Sequence, residues 1–223
     1  MIAEIDIPTE PSRFNQSLTM NSSAKQLAGS VVLITGSVGN LGSATARTVQ
    51  AAGAKTILVD RSQDRLHENF PELAASSDHF LAGGVDLTNA DSLSKMVQTG
   101  LDRFGRIDAL VNTVGGWRGG KPVHETDLAD WDFLFGVNLR TTLLCCRAAI
   151  PQMLRQARGK IVNVASRDGL SGGAGYSAYS ASKSAVLRLT ESMAAELKSS
   201  NINVNCIMPS TIDTPQNRKA IPN

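Results

Sequence analysis

Tyr179 and Lys183 stand four residues apart in a stretch whose spacing predicts a helix over 177–198. On a helix they share one face, one turn from each other. An ammonium held beside a phenol favours the phenolate, which predicts a tyrosine pKa drawn down from about 10 toward neutrality. A phenol tuned in that way gives or takes a proton at working pH. Ser166 follows the apolar run Ile161 to Ala165, which reads as a buried strand over 160–165. Its hydroxyl is placed to reach a substrate oxygen beside the phenol. Such a grouping interconverts an alcohol and a carbonyl. Tyr-x-x-x-Lys alone is common on helix surfaces, so its weight depends on the rest of the chain. Tyr176 is the weaker tyrosine, because Ser180 rather than a lysine lies four residues on.

The elements that would position these residues begin at Val31-Val32-Leu33-Ile34-Thr35, a continuous apolar run suited to a parallel strand covered on both faces. Gly36-Ser37-Val38-Gly39-Asn40-Leu41-Gly42 follows, then a helix predicted over 43–52 and a strand over 55–59 that ends at Asp60. Strand, glycine turn, helix and second strand ending in an acid make the dinucleotide-binding βαβ unit. The glycines let backbone N–H groups approach a pyrophosphate at the helix N-terminus. Asp60, eighteen residues past Gly42, is expected to accept from ribose hydroxyls and to repel a 2′-phosphate, which favours NAD. Arg61 beside it leaves NADP open.

The alternation continues with strands over 79–84, 107–113 and 203–208 and helices over 89–104 and 128–156, the latter with an expected kink at Pro151. The expected fold class is α/β: one doubly wound, Rossmann-type parallel sheet with helices on both faces, over 29–223. Residues 1–28 are polar and aperiodic and read as an N-terminal extension. A formal net charge of +2 and no basic run argue against nucleic acid, and apolar runs of about six residues against a membrane span. Cys145, Cys146 and Cys206 lack metal spacing, His67, His79 and His124 are scattered, and no metal is expected. Reduced thiols fit a cytoplasmic location.

With these motifs in this order the chain resembles the short-chain dehydrogenase/reductase family over about residues 29–217. The matching pieces are Thr35-Gly36-x-x-Gly39-x-x-Gly42, Asp60, Asp86, Asn112, Asn138, Ser166, Tyr179, Lys183 and Pro209 to Thr214. The resemblance implies a catalytic group of four. Tyr179 is the acid/base, Lys183 holds the nicotinamide ribose and lowers the tyrosine pKa, Ser166 polarises the substrate oxygen, and Asn138 holds a water in a proton relay. It also implies cofactor contacts from Gly36, Gly39, Asn40, Leu41 and Gly42 at the turn, and from Asp60 and Arg61 at the ribose. Asp86 and Leu87 fall near the adenine, Asn112 on strand four, Tyr179 and Lys183 at the nicotinamide ribose, and Pro209, Ile212 and Thr214 at the nicotinamide. A carbonyl or alcohol substrate and a homodimer or homotetramer follow from the same resemblance.

The chain departs from the family pattern in several places. Asn40 stands where the middle glycine is usual, and because asparagine tolerates the left-handed conformation the turn is expected to survive. Asn112-Thr113-Val114-Gly115 replaces Asn-Asn-Ala-Gly, and Pro209-Ser210 replaces Pro-Gly. Arg167-Asp168 directly after Ser166 is expected to pair with itself at the surface or to meet a polar substrate. The family's seventh strand has no counterpart before Asn223, so an uncovered edge strand is expected. Gly115-Gly116-Trp117-Arg118-Gly119-Gly120 and the stretch from Asp213 also resemble the dihydropteridine reductase branch, with Trp117 either stacking on a flat ring or anchoring its loop. Pterin reduction and a non-catalytic nucleotide-binding regulator therefore stand as alternatives to alcohol–carbonyl chemistry.

Overall fold

The structure, a computed structural model, describes residues 26–220. The expected polar extension thus falls outside the described residues as far as Lys25. Leu27 already belongs to the domain: its N–H donates to the Ala52 carbonyl at 3.0 Å and its side chain packs on the core around Val32.

Six parallel strands form one sheet. They are β1 (Val31–Thr35), β2 (Lys55–Val59), β3 (His79–Ala82), β4 (Ala109–Asn112), β5 (Gly159–Val164) and β6 (Ile202–Ile207), in the order β3-β2-β1-β4-β5-β6. Alternate residues of a strand face opposite sides, and β1 uses both for burial. Val31 and Leu33 enter one core with helices α3 (Ala90–Phe104), α5 (Thr141–Arg155) and α6 (Ser177–Leu197). Val32 and Ile34 enter the other, with Ala46 of α1 (Asn40–Ala51) and Leu66 of α2 (Gln63–Asn69). An all-apolar strand therefore sits between two helical layers, as expected for a parallel sheet. Each fully buried Leu or Ile contributes about 1.5–3 kcal/mol.

Local signals set the helix ends. The Asn89 side chain accepts from the Asp91 and Ser92 N–H groups to cap α3, and Gly105, at φ 72°, closes it in the left-handed region that glycine occupies without strain. α2 is capped by Ser62, whose side chain accepts from the Arg65 N–H. Neither this short helix nor α7 (Pro215–Ala220) was expected.

The helix expected over 128–156 is present but is interrupted at a different place. It comprises α4 (Leu128–Leu134), a π-helical segment Phe135–Arg140, and α5. α5 runs through Pro151 without a break. The wider turn lies instead at 135–140, where it points Asn138 inward. By length and composition this 28-residue run could cross a bilayer, but Leu144, Cys145, Cys146, Ala149 and Met153 bury its inner face in the main core. At the sheet's far side β6 pairs only with β5 among the described residues, with Ile207 44% exposed.

Candidate active site

The strand register brings the site together. Thr35 lies level with Val59 on one side and Asn112 on the other, Asn112 with Asn163, and Asn163 with Cys206. Gly36, Asp60, Thr113, Ser166 and Pro209 therefore all emerge at the carboxyl edge. The chain crosses from β3 back to β4 beside β1, which makes this edge the switch point where ligands of such sheets bind.

The glycine turn is built for close approach. Gly36 has φ +65°, and a Cβ on Gly42 would sit 2.1 Å from the Gly36 carbonyl oxygen. Thr113 locks the turn to β4, its hydroxyl donating to the Thr35 carbonyl at 2.6 Å. The turn survives without a left-handed Asn40. Asn40 is the first residue of α1, and Gly36 alone turns the chain there. The Asn40 amide instead reaches across to Gln216 of α7 at 2.9 Å. Gly39, in the capping position before α1, offers no side-chain cap, and the first turn holds no acid. Its first N–H groups, including those of Asn40 and Leu41, suit an anion such as a pyrophosphate. Gly42→Ala is expected to cost about 3 kcal/mol, because the clash is with backbone. Urea unfolding of the variant measures it, and an unchanged midpoint would contradict the packing described.

Asp60 leaves the end of β2 with its carboxylate turned back to the turn, 3.5 Å from the Val38 N–H and 3.4 Å from the Ser62 N–H. The exposed Asp86 carboxylate accepts from the Thr88 hydroxyl at 2.7 Å and the Thr88 N–H at 2.8 Å. Those bonds, with the Arg61 charge behind them, hold it below the usual carboxylate range. Arg61 thus acts on Asp86. Leu87 is buried in the core. Asn112, 3% exposed, gives its amide to Asn163 at 2.9 Å, inside the sheet. Thr113, the first residue after β4, meets the turn. After β6, Pro209 accepts from the Arg167 N–H at 3.1 Å, while Asn217 donates to the Ile212 carbonyl and the Thr214 hydroxyl, folding 209–217 into a compact loop.

Three elements hold the four catalytic candidates. Ser166, 5% exposed, ends the β5 segment. Tyr179 and Lys183 lie one turn apart on α6. Lys183 is 5% exposed, and its ammonium donates to the Val164 carbonyl at 3.0 Å. Asn138, 1% exposed, pins the β4 loop to the site: it accepts from the Gly116 N–H at 2.9 Å and donates to the Gly116 carbonyl at 3.1 Å and the Ser182 hydroxyl at 2.9 Å. Gly115 must stay small, since a Cβ there would lie 3.1 Å from both Lys183 Nζ and Asn138 Oδ1.

The electrostatics differ from the expected phenolate. Burial lifts the Tyr179 phenol above its ordinary value; hydrogen bonding with Ser166 opposes this and the Asp168 charge adds to it. Burial also brings the Lys183 ammonium down to about 8, with the neighbouring Cys206 opposing. Desolvation disfavours both charged forms, and Lys183 has already committed its ammonium to a backbone carbonyl. Arg167 and Asp168 do not pair with each other; Asp168 accepts from the Ser166 hydroxyl at 3.1 Å. Beside the site, Trp117 is 57% exposed and meets Tyr176 edge-on, with ring centroids 5.9 Å apart. Its loop is fixed by Arg118 over the Phe133 ring at 3.7 Å and by a Gly120 N–H bond to the Gly175 carbonyl. The buried Cys145 and Cys146 thiols are pushed up by desolvation, Cys146 to about 12, and take no part.

Comparison with known proteins agrees with this geometry. The profile of the short chain dehydrogenase family matches residues 30–223. Subunit BbsD of (2S)-[(R)-hydroxy(phenyl)methyl]succinyl-CoA dehydrogenase from Thauera aromatica is 38% identical over 83% of this chain and 74% of its own. The 3-oxoacyl-[acyl-carrier-protein] reductase FabG of Thermotoga maritima is 36% identical over 87% of the chain and 78% of its own. A cyclopentanol dehydrogenase of Comamonas is 36% identical over 86% and 76%. A match that runs through the whole sheet and its carboxyl edge, joined by relatives at this identity, makes the chain a member of the short chain dehydrogenase family and, at that level, a nicotinamide-dependent oxidoreductase.

Proposed function

We propose that the protein interconverts a secondary alcohol and a carbonyl with NAD as the favoured cofactor, and that Tyr179 is the general acid/base. The observation that carries this reading is the convergence of Ser166, Tyr179 and Lys183 at the strand edge that also bears the glycine turn. The turn fits a dinucleotide: Gly36 and Gly42 leave no room for a Cβ, and the uncapped start of α1 suits its phosphates. A nicotinamide bound there would supply or accept the hydride.

The chain's own residues handle the proton. In reduction Tyr179 gives its phenolic proton to the substrate oxygen, and in oxidation it takes that proton back. Ser166 fixes the position of that oxygen. The Lys183 charge, one turn away, stabilises the negative charge that builds up on the phenolate. Asn138 keeps Gly115 and Gly116 against Lys183 and, with an ordered water, would link that ammonium to solvent. Three free cysteines, two of them buried, support a reducing compartment, and a homodimer or homotetramer remains part of the proposal.

Titration with NADH and with NADPH, followed through the only tryptophans, Trp117 and Trp131, tests the cofactor reading. NADH is expected to bind more tightly. Asp60→Ala is expected to raise the relative affinity for NADPH roughly tenfold, about 1.4 kcal/mol. An unchanged ratio would remove Asp60 from the ribose site, and no binding of either nucleotide would sink the oxidoreductase reading for this chain.

A further inference from the structure

Two walls of the cleft at the carboxyl edge are joined by a single side-chain contact. One wall is the glycine turn with the first turn of α1, and the other is the segment that follows β6. Among the described residues, the one hydrogen bond between residues 36–51 and residues 208–220 runs from the Asn40 amide to Gln216 Oε1, at 2.9 Å. Both ends are anchored. Asn40 opens α1 directly after Gly39, whose carbonyl accepts from the Ser43 N–H at 2.8 Å. Gln216 lies in the first turn of α7, where the Asn217 N–H donates to the Thr214 hydroxyl at 3.1 Å and the Arg218 N–H to the Thr214 carbonyl at 2.9 Å. Thr214 itself is buried, and Arg218 pairs with Asp213. The Asn40 side chain is exposed and adds nothing to the buried face of α1, which consists of Gly42 and Ala46. An asparagine in the first turn of a helix ordinarily turns its side chain to local backbone. This one reaches across the cleft instead.

We propose that Asn40 and Gln216 form a clasp across the dinucleotide cleft, and that its opening sets the rate at which the nicotinamide cofactor enters and leaves. The proposal rests on the reading of this cleft as the cofactor site. A dinucleotide reaching from the α1 N-terminus toward residues 209–214 lies between the two walls that the clasp joins. The clasp uses side-chain atoms alone, so the first N–H groups of α1 stay free for the phosphates. A contact made equally in the free and the loaded protein favours neither state, so it slows entry and exit alike and leaves affinity unchanged. One exposed, neutral hydrogen bond is also weak enough to open often, its net worth corresponding to a factor of about two to ten in the ratio of closed to open. Where cofactor release limits turnover, the same opening sets kcat.

Stopped-flow mixing with NADH, read by tryptophan quenching, gives the association and dissociation rate constants separately. Asn40→Ala and Gln216→Ala each remove the contact, and both positions are exposed, so neither variant empties a core. Each is expected to raise both rate constants about two- to tenfold. The dissociation constant should move by less than about twofold. The double variant should be no faster than either single one, because both substitutions remove the same bond. Unchanged rates in both single variants, or effects that multiply in the double variant, would overturn the proposal. So would faster dissociation alone in Asn40→Ala, since that result assigns the amide to the nucleotide itself. Amide hydrogen exchange of the nucleotide-free protein reads the contact without a ligand: Asn217 and Arg218 are expected to exchange faster in both variants. Faster exchange in a chain that binds neither NADH nor NADPH would sink the cofactor reading and leave the contact between α1 and α7 standing. Normal NADH binding with exchange unchanged in both variants would overturn the clasp and leave the cofactor reading intact.

Discussion

Tyr179→Phe is expected to lower turnover by about two to four orders of magnitude, the usual contribution of a positioned acid or base, and to leave NADH binding close to wild type. The substitution removes one oxygen from a half-buried ring on α6 and leaves the ring itself in place. Folding stability should change by less than about 1 kcal/mol, since the lost hydroxyl is not needed to fill the core. Removal of an acid/base acts on the transition state, so kcat and kcat/KM should fall together. The comparison with Ser166→Ala is informative. Ser166 positions the substrate oxygen without carrying the proton that is transferred, so its loss should leave measurable turnover. Steady-state kinetics of both variants on a small ketone with NADH provides the measurement. Turnover retained in Tyr179→Phe at the wild-type level would mean that another group moves the proton, and a loss of nucleotide binding would mean that the phenol is a structural contact.

The strands were legible because each is a short apolar run whose two faces are both buried, as the split of β1 between two cores shows. Their ends were less so. β4 is shorter than the expected 107–113: the Gln156 side chain holds Ile107, and Asp108 bonds through its main chain to Val31 and Lys160 at the ladder's edge. α2 went unseen because it is seven residues long and buries only Leu66, too little to give a period. A π-helical turn has no residue signature, so the interruption was assigned to Pro151 rather than to the segment holding Asn138. At the site, residue types and spacings pointed to Ser166, Tyr179 and Lys183 as candidates, but not to their partners. Lys183 binds the Val164 carbonyl, Asn138 both polar atoms of Gly116, and Asn40 the side chain of Gln216. Backbone partners carry no sequence signal, and contacts 176 residues apart in the chain arise only from the fold. The expected depression of the Tyr179 pKa failed for that reason. Spacing along a helix gives proximity, whereas the sign of the shift depends on burial and on where the ammonium donates.

Lys183→Met is expected to abolish turnover and, at neutral pH, to make the fold more stable. The ammonium lies 5% exposed, and its burial draws the pKa from 10.5 to about 8. A lysine whose pKa is depressed in the fold carries a penalty for its charged form, and stability rises with pH wherever the unfolded chain binds more protons. The penalty is fully present below about pH 8 and is relieved as pH rises toward 10.5, where the unfolded chain also loses its proton. A shift of that size corresponds to a cost on the order of 3 kcal/mol. Methionine fills a similar volume without the charge, but it leaves the Val164 carbonyl without the Lys183 donor, a loss of about 1 kcal/mol. The net expectation is a gain of about 2 kcal/mol at pH 7 that shrinks or reverses by pH 10. Urea unfolding of wild type and Lys183→Met at the two pH values reads it directly. Equal destabilisation of the variant at both would mean that the ammonium is solvated in the fold and that burial does not set its pKa. The opposite result, a more stable and inactive protein, would place a buried cation among the groups retained for chemistry at the expense of stability.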